Sequence, residues 1–134
     1  MNLVTSISFF KERIKLRFHH IGLEVEDLVE AISFYTKYFG FSLEKQLKLL
    51  DEDIVFLVSD HMRLELVTNP EEKGELHICY EVSNIEETMK EMGHKQILEG
   101  PYLLENGWKT VFYEGTNKVN FEFLQIKQHA ETNF

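Results

Sequence analysis

Cysteine, proline and positive charge are all scarce in this chain. Its 134 residues include one cysteine, two prolines and one tryptophan. A single thiol, Cys79, excludes an intrachain disulfide framework and fits a reducing, cytoplasmic setting. Lys and Arg together number 14 against 23 Asp and Glu, for a formal net charge of −9. Such an acidic surface repels phosphate backbones and anionic lipid, so neither nucleic acid nor a membrane is an expected partner. No apolar run approaches the ~20 residues needed to cross a bilayer. The opening MNLVTSISFFKERIK sets its apolar stretch before its positive charges and has no small-residue cleavage site after it. It therefore reads as an N-terminal extension (1–16) rather than a signal peptide. With 43% hydrophobic residues the remainder can bury a core, and one domain over 17–127 with a short tail at 128–134 is expected.

What the chain does have is an internal echo. His20 opens HIGLEV and His77 opens HICYEV, 57 positions later; Glu65 in RLELV and Glu122 in NFEFL are related by the same 57-position offset. The core residues shift with them: Val25 onto Val82, Leu28 onto Ile85, Leu64 onto Phe121, Leu66 onto Phe123. Period-two alternation predicts strands at 17–25, 42–50, 53–59 and 63–68, and again at 76–82, 95–99, 108–113 and 119–126. Helices are predicted at 27–39, capped by Asp27 and ended by Gly40, and at 84–92, capped by Ser83 or Asn84 and ended by Gly93. Asn69, Pro70 and Gly74 mark a hinge, and 100–107 reads as the longest loop. The fold class is therefore α+β, two βαβββ modules (17–69 and 75–127) that pair because neither can bury a sheet alone.

Strand alternation assigns faces. Ile21, Leu23 and Val25 turn to the first helix; Phe18, His20, Gly22 and Glu24 turn away. Leu64 and Leu66 oppose Arg63, Glu65 and Val67. Ile78, Tyr80 and Val82 oppose His77, Cys79 and Glu81, and Phe121 and Phe123 oppose Asn120, Glu122 and Leu124. One strand histidine is most often just hydrogen-bonded, and one strand glutamate just wet. Two of each, at one offset and on one face, point instead to a shared metal, which removes the cost of burying carboxylates. Cys79 matches Gly22 and reads as a small buried filler; His19, His61, His94 and His129 have no counterpart and are assigned no role.

HHIGLEVEDLVEAISFYTKYFGF, LHICYEVSNIEETMKEM and VNFEFLQ resemble the opening, second module and last strand of the vicinal-oxygen-chelate superfamily (glyoxalase I, methylmalonyl-CoA epimerase, extradiol dioxygenases, fosfomycin-modifying enzymes and bleomycin-binding proteins). The resemblance implies a curved sheet cleft holding one divalent metal, with His20, Glu65, His77 and Glu122 as ligands. A full His/Glu/His/Glu set is similar to glyoxalase I and to the epimerase. LELVTN resembles the glyoxalase strand that ends in a glutathione-contacting Asn, here Asn69. Two departures stand out. Glu24 replaces an Arg that holds a glutathione carboxylate in bacterial glyoxalases, and GTNK replaces the usual PDG turn.

The function so implied is a metal-dependent 1,2-proton shift beside a carbonyl, of the lactoylglutathione lyase kind. Zn, Ni, Co or Mn would act as Lewis acid, and Glu122 and Glu65 would carry the proton. Arg63, or Lys109, would hold an anionic handle of the substrate, and Trp108 would form a substrate wall. The alternatives are an acyl-CoA 2-epimerase and a non-catalytic drug-binding protein, in which Trp108, Tyr102 and Phe56 would line the pocket. A homodimer covering the sheet edges is the expected assembly.

Overall fold

A computed structural model of the protein describes residues 15–49, 51–68 and 75–126. The hinge (including Asn69), the extreme N-terminal stretch and the last residues lie outside the described residues.

The elements follow one another as β1 (Arg17–Val25), α1 (Leu28–Phe39), β2 (Ser42–Leu49), β3 (Glu52–Ser59), β4 (Met62–Thr68), β5 (Leu76–Glu81), α2 (Ile85–Met92), β6 (Ile97–Leu103), β7 (Lys109–Tyr113) and β8 (Asn120–Gln125). Each half is thus βαβββ. All eight strands belong to a single curled sheet in the order β2-β3-β4-β1-β5-β8-β7-β6. Within each half the first and last strands pair in parallel, β1 with β4 and β5 with β8. The halves join through the antiparallel pair β1–β5, so the paired modules form the one curved sheet expected.

Local chemistry sets the helix ends. The Asp27 carboxylate accepts a hydrogen bond from the Glu30 backbone N–H at 3.0 Å, and Asn84 does the same for Glu87 at 3.0 Å. Asn84, not Ser83, is therefore the second cap. Gly40 ends α1 at φ 74°, a left-handed conformation that glycine adopts without a Cβ penalty.

Each helix covers the convex face of its own half. Leu28, Ala31, Ile32 and Tyr35 pack on Val55, Leu57, Leu64 and Leu66, with Ile21, Leu23 and Val25 alongside. Ile85, with Met89 and Met92, packs on Val82, Val111, Tyr113 and Phe123. A third cluster, Leu49, Ile54, Phe56, Val67 and Leu104 with Trp108 against it, lies on the concave side and walls the trough. Among the described residues no helix is long and apolar enough to cross a membrane.

Two expectations are corrected. The segment 100–107 is not all loop: β6 runs on to Leu103, with a cis peptide before Pro101. A proline lacks the ladder donor, but β6 is an edge strand with shifted register on both sides of Glu99, where the missing N–H is tolerated. The second correction concerns β1. Phe18 pairs with Tyr80 and His20 with Cys79, so His19 is an extra, bulged residue. The bulge turns Phe18 to the Tyr80 side and brings His19 onto the concave face beside His20.

Candidate metal centre

The register of β4–β1–β5–β8 lays the four candidate ligands on two rungs. Gly22 pairs with both Glu65 and His77, forming one rung. Cys79 pairs with both His20 and Glu122, forming the other. Each rung holds one imidazole and one carboxylate with a small residue between them. Each also draws its two ligands from different halves. The rungs stand two residues apart, roughly 7 Å along a strand, a gap that side chains cross from both sides.

The side-chain tips meet in that gap. His20 Nε2 is 3.2 Å from His77 Nε2, 3.5 Å from Glu65 Oε1 and 3.4 Å from Glu122 Oε1. His77 Nε2 is 3.4 Å and 3.1 Å from the same two oxygens. Donor atoms sharing one ion at about 2.1 Å stand roughly 3.0 to 3.4 Å apart in octahedral or tetrahedral geometry, so the spacing suits a divalent cation. Glu122 Oε1 is buried with no hydrogen-bond partner among the described residues, as a ligand oxygen would be. His20, His77 and Glu122 bring their ligand atoms within 4.8 Å of one another. Glu65 Oε1 stands nearly as close to both imidazoles.

Burial opposes charge on every member, and mutual attraction overcomes it. Burial pulls His77 down, but the carboxylates of Glu122 and Glu65 beside its Nε2 outweigh it and raise it to about 10. His20 is raised for the same reasons. Glu65 is held down to about 2 against its burial by the two imidazoles, and Glu122 is likewise depressed. Two carboxylates buried without cations would cost several kcal/mol each. Protons on the imidazoles, or a metal between them, supply the compensation.

Two small residues make the meeting possible. A Cβ on Gly22 would fall 2.0 Å from His77 Cε1, so only glycine lets the ring lie across β1. Cys79, at the matching place, is fully buried; burial first, then Glu122 and Glu65, push its thiol well up and keep it protonated. It fills space, as its position suggested.

Further residues support the ligands. Thr110 Oγ1 donates a hydrogen bond to Glu122 Oε2. The matching place on β3 is Ile54, since Thr110 pairs two residues beyond Glu122 and Ile54 two beyond Glu65; Glu65 has no hydroxyl there. His19 Nδ1 lies 2.7 Å from His20 Nδ1. Burial, then the nearby charges of His20 and Arg63, lower His19 to about 4 and keep it neutral. Thr110 gave no signal in the repeat because it is unpaired there. The adjacent His19–His20 pair was the visible trace of the bulge.

A cavity of about 160 Å³ opens over the quartet, walled by Leu49, Ile54, Trp108, Phe112 and Leu124. Trp108 sits where a substrate wall was expected. Arg63 does not line this cavity. Its guanidinium grips Glu44 through Nε and Nη2, at 2.9 and 3.2 Å, and donates from Nη1 to the His19 carbonyl at 3.0 Å. Lys109 pairs with Glu86 at 3.3 Å. Both cations considered from sequence as holders of an anionic handle are thus engaged elsewhere. Glu24, Glu52, Glu75 and Glu99 line the cleft, and among the described residues no Lys or Arg does.

The fold is matched by known proteins. A sequence model of the Glyoxalase/Bleomycin resistance protein/Dioxygenase superfamily matches residues 19–112, more than half of the chain, and the chain belongs to that superfamily. The matched stretch holds His20, Glu65 and His77; Glu122 lies beyond it. A search of curated proteins finds no match. Among solved structures, a hypothetical protein from Bacillus halodurans C-125 has a TM-score of 0.73 at 22% identity, over 85% of this chain and 96% of its own. Methylmalonyl-CoA epimerase from Mycobacterium tuberculosis has a TM-score of 0.69 at 14% identity, over 87% and 91%. The Streptomyces coelicolor epimerase in complex with 2-nitronate-propionyl-CoA has a TM-score of 0.68 at 18% identity, over 84% and 98%. At these identities the likeness is one of fold.

Proposed function

We propose that the protein is a metal-dependent enzyme that moves a proton between adjacent carbons beside a carbonyl. The observation that carries this reading is the convergence of two imidazole nitrogens and two carboxylate oxygens at 3.1 to 3.5 Å in the floor of one cleft of a single chain. His20, His77, Glu122 and Glu65 would hold one divalent ion such as Zn, Ni, Co or Mn. Bound there, the ion would polarise the substrate's carbonyl and its neighbouring oxygen.

The protein's own groups then divide the labour. The two imidazoles present nitrogen lone pairs to the centre. Glu122, hydrogen-bonded through Oε2 by Thr110, is the anchored carboxylate. Glu65, without that hydroxyl, is the freer one, and takes the proton from one carbon and returns it to the next. Leu49, Ile54 and Phe112 keep water from the reacting carbons.

Charge bears on the substrate. The chain's formal net charge of −9 disfavours the carboxylates of glutathione and the phosphates of coenzyme A. The hemithioacetal of a small aldehyde with a neutral or cationic thiol fits best, giving a hydroxyacyl thioester. A second reading, an acyl-CoA 2-epimerase, is favoured by the fold likeness to methylmalonyl-CoA epimerases; it uses the same proton abstraction. The proposal includes a homodimer, because Val29, Phe34 and Tyr38 are exposed on α1 and, among the described residues, no strand pairs with the outer edges of β2 and β6. A cytoplasmic location belongs to it too, resting on the lone thiol.

The test is elemental analysis of protein purified without chelator, then assay in D₂O with methylglyoxal hemithioacetals of neutral, cationic and anionic thiols and with a 2-methyl acyl-CoA. One divalent ion per chain and deuterium exchange at the carbon beside the carbonyl are expected. Protein that takes up no divalent ion would sink the reading. Exchange confined to the acyl-CoA would select the epimerase.

A further inference from the structure

His19 has no counterpart in the second half: the residue at the matching place is Leu76, which pairs in unbroken register with Leu23. The first half alone has a bulge here, and the bulge sets a second imidazole against a ligand. The two Nδ1 atoms are 2.7 Å apart, a hydrogen-bond distance. It is too short for two nitrogens sharing one tetrahedral ion at about 2.1 Å, which stand roughly 3.3 Å apart. His19, His20 and Cys79 also bring their potential ligand atoms within 4.8 Å of one another, but that spacing removes the cluster as a second metal site.

Two facing ring nitrogens bond only if one carries the proton. His20 Nε2 is the atom that meets His77, Glu65 and Glu122. If it is to offer a lone pair there, the ring's single proton must sit on Nδ1. His20 Nδ1 then donates and His19 Nδ1 accepts. The acceptor is itself held. His19 is 7% exposed and meets the edges of Phe56 and Trp108 at ring separations of 5.9 and 6.1 Å. Its carbonyl accepts from Arg63, which Glu44 grips from the far side.

We propose that His19 is a positioning residue for the metal centre: by accepting from His20 Nδ1 it fixes the tautomer and tilt that turn His20 Nε2 into the quartet, and the Glu44–Arg63 pair locks the bulge that places it. This rests on the metal reading above. Arg63, expected from sequence to meet substrate, acts here on the backbone of the positioning residue.

The test compares Zn²⁺ affinity, by competition with a chromophoric chelator, for the full-length wild type, His19→Asn and His19→Phe. Asn keeps an acceptor near the Nδ1 position; Phe keeps the ring contacts and removes the acceptor. Affinity within a few-fold of wild type is expected for His19→Asn, and a loss of 10- to 100-fold for His19→Phe, the usual cost of removing an outer partner of a ligand. Equal affinity in wild type and His19→Phe overturns the role of His19 while leaving the metal centre standing. No Zn²⁺ uptake by wild type overturns both. A second measurement needs no variant to fold. ¹⁵N NMR of Zn²⁺-loaded wild type should show a proton on His20 Nδ1 and scalar coupling to His19 Nδ1; an unprotonated His20 Nδ1 overturns the proposal.

Discussion

At the scale of single residues the centre depends on where small and polar groups stand. Gly22→Ala should displace the His77 ring, since the added methyl would overlap Cε1. Divalent-ion affinity is expected to fall at least tenfold while far-UV circular dichroism is unchanged. The carboxylates should separate by role. Glu65→Gln should lose about 10²- to 10⁴-fold in turnover, the usual worth of a general base, while retaining the ion on the three remaining ligands. Glu122→Gln should lose turnover and ion together. Metal content measured beside activity distinguishes the two, and wild-type turnover in both variants would remove carboxylates from the chemistry.

Proton competition follows from the same charges. An ion displaces protons from His77, held up near 10, and from His20. Ion affinity should therefore climb as pH rises through neutrality, with protons released on binding, a number that calorimetry in buffers of different ionisation enthalpy reads directly. Metal-free stability has the opposite dependence. The His77 contribution is full below an unfolded pKa near 6.5 and fades as pH rises toward about 10. That of Glu65 is present above about 4.5 and fades as pH falls toward about 2. Chemical denaturation of chelated protein should show its maximum between those limits.

At the scale of elements, the helices were legible because their ends carry side-chain caps and their apolar residues recur at helical spacing. Asn84→Ala should cost about 1 kcal/mol in equilibrium unfolding, as loss of an N-cap does. β1 was legible as a strand, but not its bulge. Alternation counts residues and cannot see an inserted one, so Phe18 was placed on the wrong face and His19 given no role. β6 failed for a different reason. Gly100 and Pro101 are breakers in a central strand, and nothing local says that this strand lies at an edge. The four converging residues were legible because the repeat is a relation between distant positions, which pairing preserves. Thr110 could not, because its hydroxyl has an isoleucine, Ile54, in the matching place. Arg63 was read by charge alone, and charge does not reveal that Glu44 already holds it.

For the whole molecule, the ion and the fold should be linked. An ion that binds only the folded chain stabilises it by about 2.7 kcal/mol at a free concentration a hundred times its dissociation constant. Chelation should therefore lower the unfolding midpoint by several degrees, and added Zn²⁺ should restore it. A variant with the quartet neutralised would show no such shift. The architecture was readable from the duplicated pattern, whereas the strand pair that joins the halves was not, because the pairing of β1 with β5 leaves no mark within either half.

That β1–β5 pairing has a consequence of its own. Every imidazole on a rung has its acid partner on the opposite side of the join, His20 with Glu122 and His77 with Glu65. Neither half alone could present both kinds of ligand in this order. Slippage of the join by a single position would turn one half's donors outward and scatter all four. Occupancy by an ion would thus act as a gauge of alignment, full only when the two halves have zipped together in step.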